Sequence, residues 1–223
     1  AVRFAAVNGW SIDPGTEAAA KRQSDRLAIV STERFQTELD KVLKAPRPLA
    51  LHDAWTHATN LRAAGRLFGP LAAAFTNPTP DGFVPIDDVP APYRFPALVA
   101  AAGVEPHDLI AQMKRGSAEM RHVNDVLTAA RLIRGGQPAL ALRRYPDDVI
   151  VAVEAITTYA KPMLAGFWVN REALRAPLPI DGNDVMALGF KGRDIRVALE
   201  RAEAAFLAAG GRLSRDEALA AAR

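Results

Sequence analysis

The feature that most constrains this chain is a succession of apolar stripes at helical spacing, each bounded by residues that start or stop helices. Ser31 stands at a helix start, Leu39, Val42 and Leu43 follow on one face, and Pro46 ends the pattern. Residues three or four apart share a face of a helix, whereas a half-buried strand alternates at every second residue. The stripes therefore predict an all-α fold.

A run of five residues favours a strand locally. Residues 149–153 are mostly β-branched, but the apolar spacing continues through 154–160 with the period of a helix. We therefore predict no sheet. The helices with predicted bounds cover residues 14–28, 96–102, 106–114, 118–133, 138–144, 147–164 and 193–209.

The end of the chain has its own helix signals. Asp181 or Asn183 caps a short helix that ends at Gly189, and Ser214 with Glu217 has the spacing of a capping box. Earlier in the chain, a stretch with five prolines and little periodicity is typical of a loop or linker. The predicted segments are residues 1–75, a linker at 76–92, a helical segment at 93–170 and a tail at 171–223.

The composition excludes several classes of site. The chain has no Cys, which rules out disulfides, zinc–thiolate centres and cysteine nucleophiles, and makes the cytoplasm the expected compartment. No window approaches the roughly 20 uninterrupted apolar residues that a membrane helix needs. We therefore predict a protein without a membrane partner.

Positive charge is concentrated in one part of the chain, although the net charge is only +3. Between residues 114 and 144, seven basic residues stand against Glu119 and Asp125. Clustered positive charge favours a partner rich in phosphate, and the alternative is a solvated face of an Arg-rich protein. The seven are Lys114, Arg115, Arg121, Arg131, Arg134, Arg143 and Arg144.

A second candidate for phosphate binding is the turn Gly189–Gly192, which separates two predicted helices. Glycines let a nucleic-acid backbone approach, and the N–H groups that begin the second helix can meet phosphate. Lys191, Arg193 and Arg196 surround this turn. The alternative is that the glycines only end the first helix.

Catalytic chemistry has weaker support in the sequence. Nucleotidyl transfer needs two or three carboxylates that hold paired Mg²⁺, but the Asp pairs at 87–88 and 147–148 are adjacent rather than alternate. His52, Asp53 and His57 allow a metal-dependent phosphohydrolase of the HD type as an alternative, because Asp53 and His57 would share a helix face. The other histidines lack the spacing of such a site, and we predict no metal in this chain.

Four motifs occur in an order that resembles a known family. They are Arg3-Phe4, Ser31-x-Glu33-Arg34-x-x-x-Glu38-Leu39, Leu61-x-x-x-Gly65-x-Leu67 and Pro179-x-x-Gly182-x-Asp184-Val185-Met186-Ala187-Leu188-Gly189. In this order they resemble the neck, body and tail of the class II tRNA nucleotidyltransferase and bacterial poly(A) polymerase family. The resemblance covers nearly the whole chain, most clearly its first 70 and last 45 residues.

The resemblance implies RNA binding without catalysis. In that family a catalytic head precedes the neck and uses Mg²⁺ with CTP or ATP. This chain starts at Ala1 within the neck pattern, so we expect the head to lie elsewhere and the chain to be inactive alone. It would position a tRNA or another RNA 3′ end, and the choice between CCA addition and poly(A) addition stays open.

The resemblance also assigns roles to residues. Those expected to support the nucleotide pocket, as an ion-pair set in the neck, are Arg3, Glu33, Arg34 and Glu38. Those expected to bind RNA are Lys114, Arg115, Arg121, Arg143, Arg144, Lys191, Gly192, Arg193 and Arg196. The family often has Pro-Gly-Pro in the tail turn, where this chain has Gly192-Arg193-Asp194, and Asp194 would repel phosphate.

Protein binding is the other alternative. The neck face on which a head would dock carries Val2, Phe4 and Phe35. An exposed apolar face of this kind favours self-association or a helical protein-interaction scaffold.

Overall fold

The fold was analysed in a computed structural model, which describes residues 2–8, 10–23, 26, 29–45, 89–102, 105–112, 115–157 and 159–223. Within these ranges every regular element is a helix. The prediction of an all-α fold is confirmed. The predicted linker at 76–92 lies mostly outside the described residues, and the predicted domain limits stay predictions.

The α-helices are numbered in chain order. They are α1 Val2–Asn8, α2 Pro14–Arg22, α3 Thr32–Leu43, α4 Arg94–Ala102, α5 Pro106–Gln112, α6 Ser117–Arg134, α7 Pro138–Arg144, α8 Asp147–Ile156, α9 Ala160–Trp168, α10 Arg171–Arg175, α11 Gly182–Ala187, α12 Arg193–Ala208 and α13 Arg215–Ala222. A short 3₁₀ helix, Ala91–Tyr93, precedes α4. The chain divides into two compact units, the first holding Ala1–Arg131 with Asp147–Ala160, and the second holding Leu132–Pro146 with Lys161–Arg223.

The first helices begin where the cap signals place them. The Thr16 N–H donates to Asp13 Oδ2 at 2.9 Å, so Asp13 caps α2 as predicted. Ser31 holds the N-cap position of α3 with an extended backbone, but its hydroxyl makes no capping hydrogen bond. α2 ends at Arg22, before the predicted limit of 28.

The single helix predicted at 147–164 is wrong, because the structure has two helices there. α8 ends at Ile156 and α9 starts at Ala160. The Thr157 hydroxyl donates to the Val153 carbonyl at 2.8 Å, a bond that competes with the helix pattern. Pro162 has no N–H and is tolerated only in a first turn, so its position requires a new helix start just before it.

A buried arginine completes the end of α3 in the first unit. The Arg94 side chain donates to the carbonyls of Leu43 at 2.6 Å, Ala45 at 3.0 Å and Val89 at 2.9 Å. The last carbonyls of a helix have no partner within the helix, and a cation is favoured beside them. Arg94 thereby joins the C-terminus of α3 to the start of α4.

In the second unit, two arginines cap helix C-termini in the same way, each at the end of the helix that carries the other. Arg143 on α7 donates to the carbonyls of Leu174 at 2.5 Å and Ala176 at 2.7 Å, at the end of α10. Arg175 on α10 donates to the carbonyls of Leu142 and Tyr145, both at 2.8 Å, at the end of α7. Each short helix therefore caps the other, and we call this pair the arginine clamp.

The tail of the second unit packs through small side chains. Ala198 and Ala202 of α12 meet Ala218 and Ala222 of α13, with Val185 of α11 in the same buried cluster. Alanine keeps helix axes close together because it adds little bulk between them. α12 and α13 are consequently held as a tight pair.

α12 ends in a Schellman motif that brings the backbone against α10. The Gly210 N–H donates to the Leu207 carbonyl at 3.0 Å and the Gly211 N–H donates to the Phe206 carbonyl at 2.9 Å. Gly211 has a φ of +80°. A Cβ atom on Gly211 would overlap the Ala173 carbonyl and lie 2.6 Å from the Leu174 nitrogen, so only glycine fits there.

Both predicted caps of the tail helices are confirmed. Asp181 caps α11 in a capping box with Asp184, and Ser214 caps α13 in a capping box with Glu217. The Asp181 N–H and then Arg215 lower the pKa of Asp184. The Ser214 hydroxyl and N–H lower the pKa of Glu217.

These two lowered pKa values predict acid sensitivity of the second unit. Because folding lowers the pKa of Asp184 and of Glu217, their stabilisation is present above the pKa of the unfolded chain and is lost as pH falls through the folded pKa. We expect the midpoint temperature of unfolding to decrease when the pH is lowered below about 4, where carboxyl groups usually titrate. In the double variant Asp184→Asn/Glu217→Gln this temperature should decrease less steeply with falling pH. Thermal melts between about pH 3 and pH 6 measure the difference.

The matched control is Asp216→Asn, in the same first turn of α13 as Glu217 but outside its capping box. It should keep the acid slope of the natural protein. Equal slopes for all three proteins would show that the capping boxes do not cause the acid sensitivity.

Candidate nucleic-acid interface

The predicted neck residues lie on α1 and α3, which pack together. Arg3 Nε lies 3.2 Å from Glu38 Oε2, and Lys41 Nζ lies 3.1 Å from Glu38 Oε1. Glu38 is thus held between one cation from each helix. Glu33 and Arg34 are exposed on the first turn of α3.

Local electrostatics keep Glu38 ionised. The hydrogen bond from Lys41 contributes most to lowering the pKa of Glu38, and the charges on Arg3 and Arg34 lower it further. The structure therefore brings Arg3, Arg34 and Glu38 together as a charged set. Their role in supporting a nucleotide pocket stays a prediction.

The basic cluster of residues 114–144 separates into buried and exposed members. Arg115 has a side chain only 6% exposed, which pairs with Asp40 of α3 at 2.5 Å and with Glu119 at 3.4 Å. Its guanidinium also lies 3.7 Å from the centre of the Phe95 ring. Arg121 is exposed on α6, whereas Lys114 lies outside the described residues. Arg115 is thus engaged inside the first unit, which sequence charge counting could not reveal.

Arg143 and Arg144 divide in the same way. Arg143 has a side chain 16% exposed, pairs with Glu203 at 3.0 Å and lies 5.0 Å from the centre of the Phe206 ring. Arg144 is 52% exposed and reaches the other oxygen of Glu203 at 3.2 Å. The geometry gives Arg143 a structural task in the arginine clamp. Arg144 can face a ligand, and the RNA contacts of both stay predictions.

The tail turn presents its cations to solvent. Gly192 is the N-cap of α12 with a φ of +55°, and a Cβ there would meet open space, so nothing covers the backbone. Lys191, Arg193 and Asp194 are exposed. No side chain caps the first turn of α12; the Asp194 N–H donates to the Lys191 carbonyl at 3.1 Å, and a helix N-terminus of this kind favours an anion.

Arg196 is partly neutralised by its neighbour one turn along. Its Nε lies 2.8 Å from Glu200 Oε1, and the hydrogen bond from Arg196 to Glu200 raises the pKa of Arg196. The pair is highly exposed, so its contribution to stability is small. Lys191 and Arg193 are the better candidates for phosphate contact at this turn.

A groove of about 580 Å³ runs beside the tail turn. Its lining includes the apolar residues Leu178, Ile195 and Leu199, together with Gly192 and Arg196. Acidic side chains, Asp181, Glu200 and Glu203, also line it. The groove therefore does not have the uniform positive charge expected of a phosphate track.

The metal-site alternative cannot be placed on the described structure. His52, Asp53 and His57 lie outside the described residues. His107 and Asp108 are exposed and 3.7 Å apart, and the His122 ring packs 5.0 Å from the Tyr93 ring. Across the part of the chain that the structure describes, no three His, Asp or Glu side chains gather to hold a metal ion.

The helices that the structure describes can be tested as candidate membrane spans. None of them combines the length and the apolar character that crossing a bilayer requires.

One exposed aromatic residue was missed by the sequence reasoning. Trp10 lies between α1 and α2 and is 64% exposed. The available signal was its position just before the Asp13-Pro14 helix start, outside any apolar stripe. Large side chains outside a stripe have no core face to join.

The fold and these surfaces define an all-helical protein whose exposed cations and uncapped helix N-terminus suit a polyanion. A family model described as "Probable RNA and SrmB-binding site of polymerase A" matches residues 9–56. This match covers about a fifth of the chain and includes α2 and α3. Residues 9–56 are therefore a region like the RNA-binding site of poly(A) polymerase. No curated protein and no solved structure shows significant similarity to the chain.

Proposed function

We propose that this chain holds the 3′ end of a tRNA or another RNA for template-independent nucleotide addition by a separate catalytic domain. The observation that carries the proposal is the match of residues 9–56 to the RNA-binding region of polymerase A. It overlaps the Ser31–Leu39 motif, one of the four motifs that carry the resemblance to nucleotidyltransferases. RNA held in a fixed position gains reactivity because orientation is supplied before the chemical step.

The charged neck supports this role. Arg3 and Lys41 flank the ionised Glu38, so one cation from α1 and one from α3 lie beside a shared carboxylate on this surface. Glu38 partly neutralises both, and Arg34, exposed on the first turn of α3, adds a further positive charge. Mg²⁺ and the incoming nucleotide would belong to the catalytic domain and not to the residues described.

The tail turn would supply a second contact with the RNA backbone. Lys191 and Arg193 flank the open backbone of Gly192 at the start of α12. Helix N-termini and basic side chains are frequent phosphate ligands, and such contacts fix register without reading sequence. CCA addition and poly(A) addition both fit this arrangement.

Salt dependence tests the tail turn directly. We expect Lys191→Gln/Arg193→Gln to weaken tRNA binding and to reduce the slope of log affinity against log salt by about 1 to 2, since each lost phosphate contact removes roughly one released counterion. Fluorescence anisotropy with labelled tRNA at several salt concentrations gives the slope. Both residues are exposed, so the helical content should not change.

The matched control is Arg212→Gln. Arg212 is exposed just beyond the other end of α12, a 16-residue helix about 24 Å long at 1.5 Å per residue. The slope of log affinity against log salt for Arg212→Gln should equal that of the natural protein. An unchanged slope in the double variant would show that the tail turn is not part of the RNA interface. A natural protein whose affinity for tRNA does not depend on salt would contradict the proposed RNA binding.

A protein partner on α1 is a second proposal. Phe4 is 55% exposed and Val7 is also exposed on this helix, while the side chains of Val2 and Phe35 lie outside the described set. A catalytic head or a second copy could cover this face. Sedimentation at increasing concentration tests the second copy, and Phe4→Ser should abolish any dimer that forms.

A further inference from the structure

Trp10 is the starting point, because its surroundings give no structural reason for its exposure. Tryptophan is usually largely buried, and a buried indole finds a partner for its N–H. Here 64% of the residue is exposed, and Asn8 and Ser11 beside it are exposed as well. Asn8 separates Trp10 in the sequence from Phe4 and Val7, the exposed apolar residues of α1.

The position of Trp10 points to a different kind of ligand. It is the second residue of the region that matches the RNA-binding site of polymerase A. Nearby in the chain, the Arg3 guanidinium lies over the exposed Phe4 ring, 4.5 Å from its centre. Exposed aromatic rings combined with cations are how proteins hold single-stranded nucleic acid, with bases stacked on rings and phosphates on cations.

We propose that the Trp10 indole stacks on an unpaired nucleobase of the bound RNA. The proposal rests on the RNA-binding function proposed above and adds the contact that recognises a single strand. Every base has a flat π face, so stacking tolerates any sequence. A double-stranded stem keeps its bases paired and stacked on each other, so Trp10 would select the unpaired 3′ end over the stem.

The affinity test uses the full 223-residue chain and a fluorescent oligoadenylate of about 12 nucleotides, within the range such sites cover. We expect Trp10→Ala to weaken binding about 5- to 150-fold, the range for loss of one stacked base. Trp10→Phe should keep most of the affinity because it keeps a ring. Ile29→Ala is the matched control, since Ile29 is 90% exposed within the same matched region but has no ring.

Tryptophan fluorescence provides a readout that a structural role would not change. In a Trp55→Phe/Trp168→Phe background, Trp10 is the single remaining tryptophan of the three in the chain. Oligoadenylate should quench its emission, because a stacked base is in direct contact with the indole. An abasic oligonucleotide with the same number of phosphates should bind more weakly and leave the emission nearly unchanged.

Each outcome decides between the proposals. RNA that binds equally to the natural protein and to Trp10→Ala, or equal quenching by the abasic strand, would overturn stacking while leaving RNA binding intact. Failure of the natural protein to bind any RNA would overturn the proposed function and the stacking with it. Unchanged RNA affinity together with altered self-association in Trp10→Ala would assign Trp10 to a protein contact and overturn stacking.

Discussion

Gly211→Ala should destabilise the second unit by about 2 to 5 kcal/mol, the largest effect we expect from a single added methyl group among the residues that the structure describes. The added Cβ would overlap the Ala173 carbonyl, which belongs to the backbone of α10 and cannot rotate away. Forcing such an overlap costs about 1 to 3 kcal/mol, and a left-handed backbone costs a residue with a Cβ roughly 1 to 2 more. Urea unfolding followed by far-ultraviolet circular dichroism measures the loss.

Gly210→Ala separates the two causes. Gly210 also has a positive φ, of +65°, but a Cβ there would meet nothing within 4 Å. This variant should therefore lose only about 1 to 2 kcal/mol, the cost of the left-handed backbone. Equal losses in the two variants would mean that α10 does not lie as close to Gly211 as the structure places it.

Arg143→Ala is the second large effect, at about 2 to 4 kcal/mol of lost stability. The substitution leaves the Leu174 and Ala176 carbonyls without their cation, and it leaves the Glu203 carboxylate with Arg144 as its remaining cation. Groups that remain buried without a partner cost more than the hydrogen bond itself contributes. Urea unfolding again gives the magnitude, and Arg143→Lys should recover only part, because an ammonium cannot reproduce the planar fork.

Arg144→Ala is the neighbouring control. Its side chain is 52% exposed and makes one bond to Glu203, so its loss should cost no more than about 1 kcal/mol. Any drop in tRNA affinity in this variant therefore reports on the interface, whereas a drop in Arg143→Ala mixes binding with folding. A stable Arg143→Ala protein would contradict the clamp.

Much of the helical organisation could be predicted because helix ends are encoded locally. Asp13, Asp181 and Ser214 each lie within three residues of the N–H groups they cap. The same holds for the Gly210-Gly211 end of α12. The break between α8 and α9 was missed because apolar spacing continues across it, and the effect of Thr157 and Pro162 on the backbone outweighed that spacing.

The roles of individual arginines could not be predicted from local charge. Arg115 and Arg143 belong to the basic cluster in the sequence, yet their partners Asp40 and Glu203 lie 75 and 60 positions away. Only the fold shows that these cations face inward. Arg144 and Arg193, by contrast, are exposed as a charge count assumes. Counting charges in the sequence therefore mixed structural arginines with candidate ligands.

The candidate RNA-binding region was recognisable because its motif is compact in sequence. The spacing from Ser31 to Leu39 lies within the matched residues 9–56 and within a single helix of the structure. Trp10 lies in the same region but carries no spacing signal, and its exposure is a property of the folded chain. Residues of that kind become visible only with coordinates.

The contacts of Arg94 show that the structural unit around α3 extends beyond the region matched by the family. It binds carbonyls 51 and 49 positions earlier in the chain, at the end of α3, and Arg115 reaches Asp40 of the same helix. Both cations lie far beyond residue 56, where the matched region ends. The region that sequence comparison recognises and the compact unit in the structure therefore have different borders. A piece cut at the family limits would retain the motif and lose the groups that finish its helix.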